Sequence, residues 1–378
     1  MAPPADPRTD LLEKSRSRTS VLDSYWSAQD TTPAAIEAAL RELVTERHRE
    51  NEGYVAARAL NLVTIVDKDY SGEIANRLRR VGRNHASRTV VCAVEPGRTT
   101  IDARATVASE ADPRPGEFSL MRETVVVTVG EKHLPNLARI VDPLVVTDLS
   151  TVVWSPHGHF EAVDSLVTPA SGSLPVAQCV LWDSAGEPEA YEALDRVCHL
   201  AMCCDVVDLA WLRVTPWRER LAAHFDPSDR RPELRTLSKI SVRHGADSLI
   251  SGLLLVGWLC DRLGWRPERL TRHGDLLRGR ARGRRGEVEL RLEPVERMRV
   301  PGLWGVELRS DLGSSLALER GDGGLRARRV ERKGQERVWT VLGASRGEPG
   351  ILGDGIRHAL LPDLTYAPAL AAARRMLA

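Results

Sequence analysis

Lysine is almost missing from this sequence: five residues stand against forty-eight arginines in a chain of 378. A GC-rich coding sequence and selection for the planar guanidinium fork would both produce that bias, and composition does not separate them. Acids balance the arginines and leave a formal net charge of +1, so no global field draws the chain toward nucleic acid or an anionic membrane. The six cysteines (Cys92, Cys179, Cys198, Cys203, Cys204 and Cys260) include no C-x-x-C pair. Most sit inside apolar patterns, which fits a reduced cytosolic chain. No apolar run reaches bilayer length: the longest, Leu249 to Cys260, falls short of the roughly 20 residues a span requires. The opening MAPPADPRTD lacks the basic and apolar pattern of a secretory signal. These absences predict a soluble, cytoplasmic protein. Missing too are a G-x-x-x-x-G-K-[ST] phosphate loop and a G-x-G-x-x-G after the first buried strand, which ends instead in Val66-Asp-Lys-Asp-Tyr-Ser-Gly72. Nucleotide hydrolysis and dinucleotide chemistry are therefore poorly supported, and no cofactor is expected.

What is present reads as an α/β protein of two domains. Residues 1–30 mix Pro, Ser, Arg and Asp and are expected to be a flexible tail, although Val21, Leu22, Tyr25 and Trp26 could dock on the chain's own body or on a partner. Residues 31–170 alternate strand and helix patterns. Thr32 and Pro33 open a helix. Leu60 to Val66 and Thr89 to Val94 are continuous apolar runs of strand length, and Thr151 to Trp154 is a short one. An N-terminal domain with a mixed sheet covered by helices follows. The turn-rich segment Thr168 to Pro175 marks the boundary.

Residues 171–378 are expected to form an α+β domain ending in an antiparallel meander. A strand to Trp182 precedes a helix from Pro188 to Cys204 and a strand from Leu237 to Val242. The helix Asp247 to Leu263 then carries one apolar seam: Leu249, Leu253, Val256, Cys260 and Leu263. From Glu287 apolar residues alternate with polar ones, predicting strands with one face on helices and one in solvent. A short helix near Pro368 closes the sequence.

Four constellations invite a chemical reading. Gly343-Ala-Ser345-Arg-Gly347 matches a nucleophile elbow, with Asp354 and His358 in triad order, but too little chain follows Ser345 to carry the acid and the base. His157-Gly-His159 could present two imidazoles to one metal, with Asp148, Asp164 and Asp183 nearby in sequence; a metal site needs a third ligand and a supporting shell, and the pair reads as a metal-free loop. Arg278 to Arg285 is basic and Gly-spaced, yet no aromatic is interleaved to stack on bases. Glu287, Glu289, Glu293 and Glu296 cancel its charge, so it reads as a solvated loop and strand start. The fourth is Asp208-Leu-Ala-Trp211-Leu-Arg213-Val-Thr-Pro-Trp217-Arg218-Glu219. Trp and Arg concentrate where proteins bury partners, so Trp211, Arg213, Trp217 and Arg218 are the candidate partner-binding residues; the same residue types also serve as an internal clamp.

That last segment resembles the central signature of the glucose-6-phosphate dehydrogenase assembly protein family, OpcA. Other pieces resemble the family in the same order: Arg58-Ala-Leu-Asn-Leu-Val63, His85-Ala-Ser-Arg88, Asp148-Leu-Ser-Thr-Val-Val-Trp154, Val180-Leu-Trp-Asp183-Ser184, Gly257-Trp258-Leu259 and Asp363-Leu-Thr-Tyr366. Ala86 and Ser150 stand where the family usually has Pro. The resemblance implies a non-catalytic protein that binds glucose-6-phosphate dehydrogenase and favours its active oligomer in the oxidative pentose phosphate route. It offers no catalytic residues to carry over; charge and composition predict no metal, nucleic-acid or membrane partner, and self-association is left open. The alternative reading is a sugar-phosphate sensor or hydrolase using an interdomain pocket near His157, His159 and Asp183.

Overall fold

A computed structural model describes residues 22–81, 86–109, 113–114, 116–169, 174–187, 189–284, 286–296, 298, 300–342 and 347–378. Its contacts divide the chain into two compact units, 1–179 and 180–378.

In the first unit the elements follow the alternating pattern: β1 (Leu22–Ala28), α1 (Pro33–Glu50), β2 (Tyr54–Val55), β3 (Leu60–Asp67), α2 (Ser71–Val81), β4 (Ser87–Val94), β5 (Asp102–Ser109), β6 (Ser119–Val129), α3 (Ala138–Val141), β7 (Thr151–Trp154) and α4 (Phe160–Val167). Within this unit the strand order is β1-β5-β6-β4-β3-β7, with β2 on β6. Strands β6, β4, β3 and β7 are parallel, while β5 folds back on β6 and β1 on β5. Seven of the eight residues of β3 are buried, as a strand covered on both faces requires. Leu22–Ala28 corrects the expected tail: Ser24, Trp26 and Ala28 are half-buried, and pairing with β5 satisfies backbone groups that a free tail leaves to water.

Two buried polar nodes fix this unit. Asn61, fully buried, donates to the carbonyls of Val146 and Leu149 and accepts from the Val146 N–H. Glu123, 2% exposed, receives Arg58 and Arg88, and Arg88 also donates to the Leu144 carbonyl at 3.2 Å. Both nodes use residues of the family-like segments at 58–63 and 85–88.

The second unit begins around β8 (Cys179–Trp182), followed by α5 (Ala190–Cys203), β9 (Asp205–Asp208), α6 (Leu209–Phe225), β10 (Leu237–Gly245) and α7 (Leu249–Leu263). Then come β11 (Arg266–Pro267), β12 (Thr271–His273), β13 (Leu276–Gly283), β14 (Gly286–Val295), β15 (Leu303–Ser310), β16 (Ser315–Gly321), β17 (Gly324–Val330) and β18 (Glu336–Leu342). Helices α8 (Gly347–His358) and α9 (Tyr366–Leu377) complete the unit. The sheet runs β11-β13-β14-β10-β15-β16-β17-β18, with β12 on β13. The expected meander is thus interrupted: β10 inserts between β14 and β15, parallel to the first and antiparallel to the second. Alternation holds through β14–β17, where Leu290, Leu308, Leu318 and Ala327 are buried and Arg291, Glu307, Glu319 and Arg328 face outward. It fails at β18, whose Val338 and Leu342 are exposed because that strand is the sheet's edge.

Helix α7 is buried all round and not along one seam, since Leu253, Leu254, Leu255 and Val256 are each fully enclosed. A helix without a polar face belongs in a core, and α7 has sheet on one side and α9 on the other. A Cβ built on Gly252 would lie 3.0 Å from Leu292, and one on Gly257 only 2.3 Å from the Ala369 carbonyl oxygen. Gly257→Ala is therefore expected to push α7 off α9 and cost about 1–3 kcal/mol. Gly353→Ala, which meets nothing within 4 Å, should be neutral or slightly stabilising. Urea unfolding of the two variants checks the contrast.

Candidate functional site

The Trp/Arg stretch is itself helix α6. Asp208 caps its first turn, accepting from the Ala210 N–H at 2.9 Å. The helix continues through Pro216, whose ring nitrogen offers no N–H to the preceding turn.

The structure turns all four candidate residues toward the second unit's own body. Trp211 and Trp217 are each 2% exposed and Arg218 is 9% exposed. Trp211 Nε1 donates to Asp363 at 2.9 Å, and the Arg218 guanidinium stacks on the Trp211 ring, 3.5 Å from its centroid, while donating to the same carboxylate at 3.2 Å. Arg213 grips Asp183 with two parallel bonds of 2.7 Å, the fork-to-fork geometry that lysine cannot make. The clamp reading describes these contacts.

Three carboxylates organise the node. Asp208 is fully buried and receives four donors: Ser184 N–H, Ser184 Oγ, Ala210 N–H and Tyr366 OH, at 2.6–3.2 Å. Burial outweighs them and pushes its carboxyl up to about 6. Asp363 is also pushed up by partial burial, but the bonds from Thr365, Trp211 and Arg218 prevail and hold it at about 2. Asp183, the third, lines a cleft of about 390 Å³ with Arg213, Ser248 and Met298. Segments 180–184, 208–219 and 363–366, separate in sequence, thus meet at one place in the second unit.

His157 and His159 find their carboxylate in Asp67, at 3.4 and 2.9 Å, while Asp183 is taken by Arg213. The chain turns at His157-Gly-His159: Gly158 has φ +81°, in the left-handed region that favours glycine. Sequence reading missed Asp67, although it ends the first parallel strand, where α/β sheets place their ligands. Ser345 and its neighbours 343–346 lie outside the described residues, as do His85 and Pro188. The basic run at 278–285 is strand β13 through Gly283: its arginines point outward, while a Cβ on Gly279 or Gly283 would strike Leu270 or Trp265 at 2.5 and 2.8 Å. Of the clustered cysteines, Cys203 is exposed, whereas burial pushes the Cys204 thiol up to about 12. Among the described residues no helix is long and apolar enough to cross a membrane.

A two-unit α/β chain whose family-like segments converge on buried carboxylates is what the geometry defines. Residues 79–199 match the model described as the glucose-6-phosphate dehydrogenase subunit N-terminal domain, and residues 204–370 match that of the C-terminal domain. The chain belongs to the OpcA family. It is 25% identical over 155 residues to the OxPP cycle protein OpcA of Synechococcus elongatus, covering 38% of this chain and 32% of that one. Against the same-named protein of Synechocystis it is 25% identical over 138 residues, 35% of this chain and 28% of that one. The alignments thus span about a third of the curated relatives' length. Among solved structures, the Bacillus subtilis oxidoreductase YvaA aligns at 10% identity over 84% of this chain and 95% of that one, with a TM-score of 0.47, too low to carry fold or chemistry across.

The two carboxyls with shifted pKa values pull stability in opposite directions. Asp208 binds its proton more tightly folded than unfolded, so its contribution is full below an unfolded value of about 4 and declines as pH rises through about 6. Asp363 binds its proton less tightly, so its contribution is present above about pH 4 and is lost as pH falls through about 2. In urea unfolding, the stability gap between wild type and Asp363→Asn should shrink on acidification from pH 5. The gap to Asp208→Asn should shrink as pH rises from 4 to 6.5.

Proposed function

We propose that this chain is a non-catalytic assembly factor of glucose-6-phosphate dehydrogenase, acting in the cytoplasm by binding that enzyme and favouring its active oligomer. The observation that carries the reading is the match of both halves of the chain to the two domain models of a family described as that enzyme's subunit. Physically, such a factor must bind the active form more tightly than the inactive one. A tenfold difference corresponds to about 1.4 kcal/mol, within reach of a few contacts.

Trp211, Arg213, Trp217 and Arg218 contribute in this reading by holding a partner-facing surface in shape. Arg213 fixes Asp183, whose side chain is 32% exposed beside the cleft. Trp211 and Arg218 fix the 363–366 segment from beneath. The open face of the second sheet offers a broad polar area, with Arg243 paired to Glu319 and Arg309 to Glu307. Interfaces that form and dissociate are polar in this way.

The purified chain, added to glucose-6-phosphate dehydrogenase at fixed enzyme concentration, should co-elute with it, raise its activity and shift its oligomer distribution in light scattering. A chain that neither binds nor alters the enzyme removes the proposal. Trp217→Ala should cost about 3–5 kcal/mol of stability through the cavity it leaves, so its loss of activation will come with a lowered melting temperature. Asp183→Ala should weaken activation with a smaller effect on melting.

A further inference from the structure

In the first unit the chain leaves β3 for α2 and β4 on one side, and returns through β7 on the other. Strands β3, β4 and β7 are parallel, so the carboxyl ends of β3 and β7 flank the crevice where the winding reverses direction. Open α/β sheets bind ligands at that place. Asp67 is the last residue of β3, and His157 and His159 follow β7 directly.

We propose that Asp67, His157 and His159 form a binding site for a divalent transition-metal ion of the zinc class, with further coordination positions open to solvent. Their ligand atoms lie within 4.8 Å of one another. His159 Nε2 stands 2.9 Å from Asp67 Oδ1, and His157 Nδ1 stands 3.4 Å from Oδ2. Two ligands held about 2.0–2.1 Å from a common ion are about 2.9 Å apart at a right angle and about 3.4 Å apart at the tetrahedral angle. Both His–Asp distances fit two ligands of one ion, and the whole cluster lies within 4.8 Å.

His157 Nδ1 accepts from the Asp67 backbone N–H at 2.9 Å, a bond that an ion would have to displace. His159 Nε2 is enclosed and makes no hydrogen bond of proper geometry, despite its closeness to Oδ1. The Asp67 side chain precedes a 3₁₀ turn without capping it, and it is half-exposed, leaving a path for the ion. Around them the scaffold is set: Tyr70 packs edge-on against His157 at 5.0 Å, and the His159 carbonyl accepts from Val163 in the first turn of α4. Two nitrogens and one carboxylate suit zinc-class ions more than calcium or magnesium, which take oxygen ligands.

The full chain, stripped with a chelator, would be titrated with Zn²⁺ by calorimetry and with Co²⁺ by visible absorption. Wild type should bind about one ion per chain at this site, show the Co²⁺ spectrum of a nitrogen–oxygen shell and melt higher with Zn²⁺. His159→Gln and Asp67→Asn should each weaken binding by about tenfold or more and abolish the Zn²⁺-induced rise in melting temperature. Asp67→Asn, at a half-exposed position, serves if His159→Gln fails to fold. Absence of binding by wild type overturns the proposal, and so does unchanged affinity in Asp67→Asn, which would place the ion elsewhere, as at the thiols of Cys198, Cys203 and Cys204.

Discussion

A carboxylate sealed from water with four donors around it is the constraint on which the second unit depends. Asp208 caps α6, anchors the turn at Ser184 and receives Tyr366 from α9. Each of those elements supplies a donor that would otherwise be buried unsatisfied, at a cost of about 1–3 kcal/mol each. Asp363 repeats the device one layer out, joining Trp211, Arg218 and Thr365. Apolar packing on both sides of α7 builds the core, and the carboxylates join the segments that meet there. A unit held in this manner tolerates changes of apolar shape more readily than loss of one acceptor.

Much of this was legible in the sequence, for identifiable reasons. Thr151–Trp154 is legible to the residue because a fully buried strand has no polar alternation to blur its ends. Segments 180–184, 208–219 and 363–366 were marked individually, but nothing in a linear pattern says that Asp363 accepts from Trp211 across 152 positions. Helix α6 was hidden by Pro216, and β13 by glycines present for lack of room, not for bending. Asp67 was overlooked because its partners lie 90 residues away. Topology brings them together, and local spacing carries no trace of it.

Burial of Trp211 and Trp217 reshapes what a family signature means here. The most distinctive residues of the stretch are spent on the chain's own architecture, as are Asn61, Arg88 and Glu123 in the first unit. The surfaces these residues support are the cleft beside Asp183 and the solvent face of the second sheet, where charges of both signs alternate. Such a surface favours orientation and specificity over raw affinity.

The dependence of Asp208 on Tyr366 bears on how the chain comes to be folded in a cell. The two are 158 positions apart, so a nascent chain that has exposed α6 still carries an incompletely bonded acid and the uncovered α9-facing side of α7. The first unit can close while synthesis proceeds, since its nodes lie within residues 58–151. The second must wait until α9 has left the ribosome. During that interval its apolar helix is open to chaperones, to proteases and to other nascent copies.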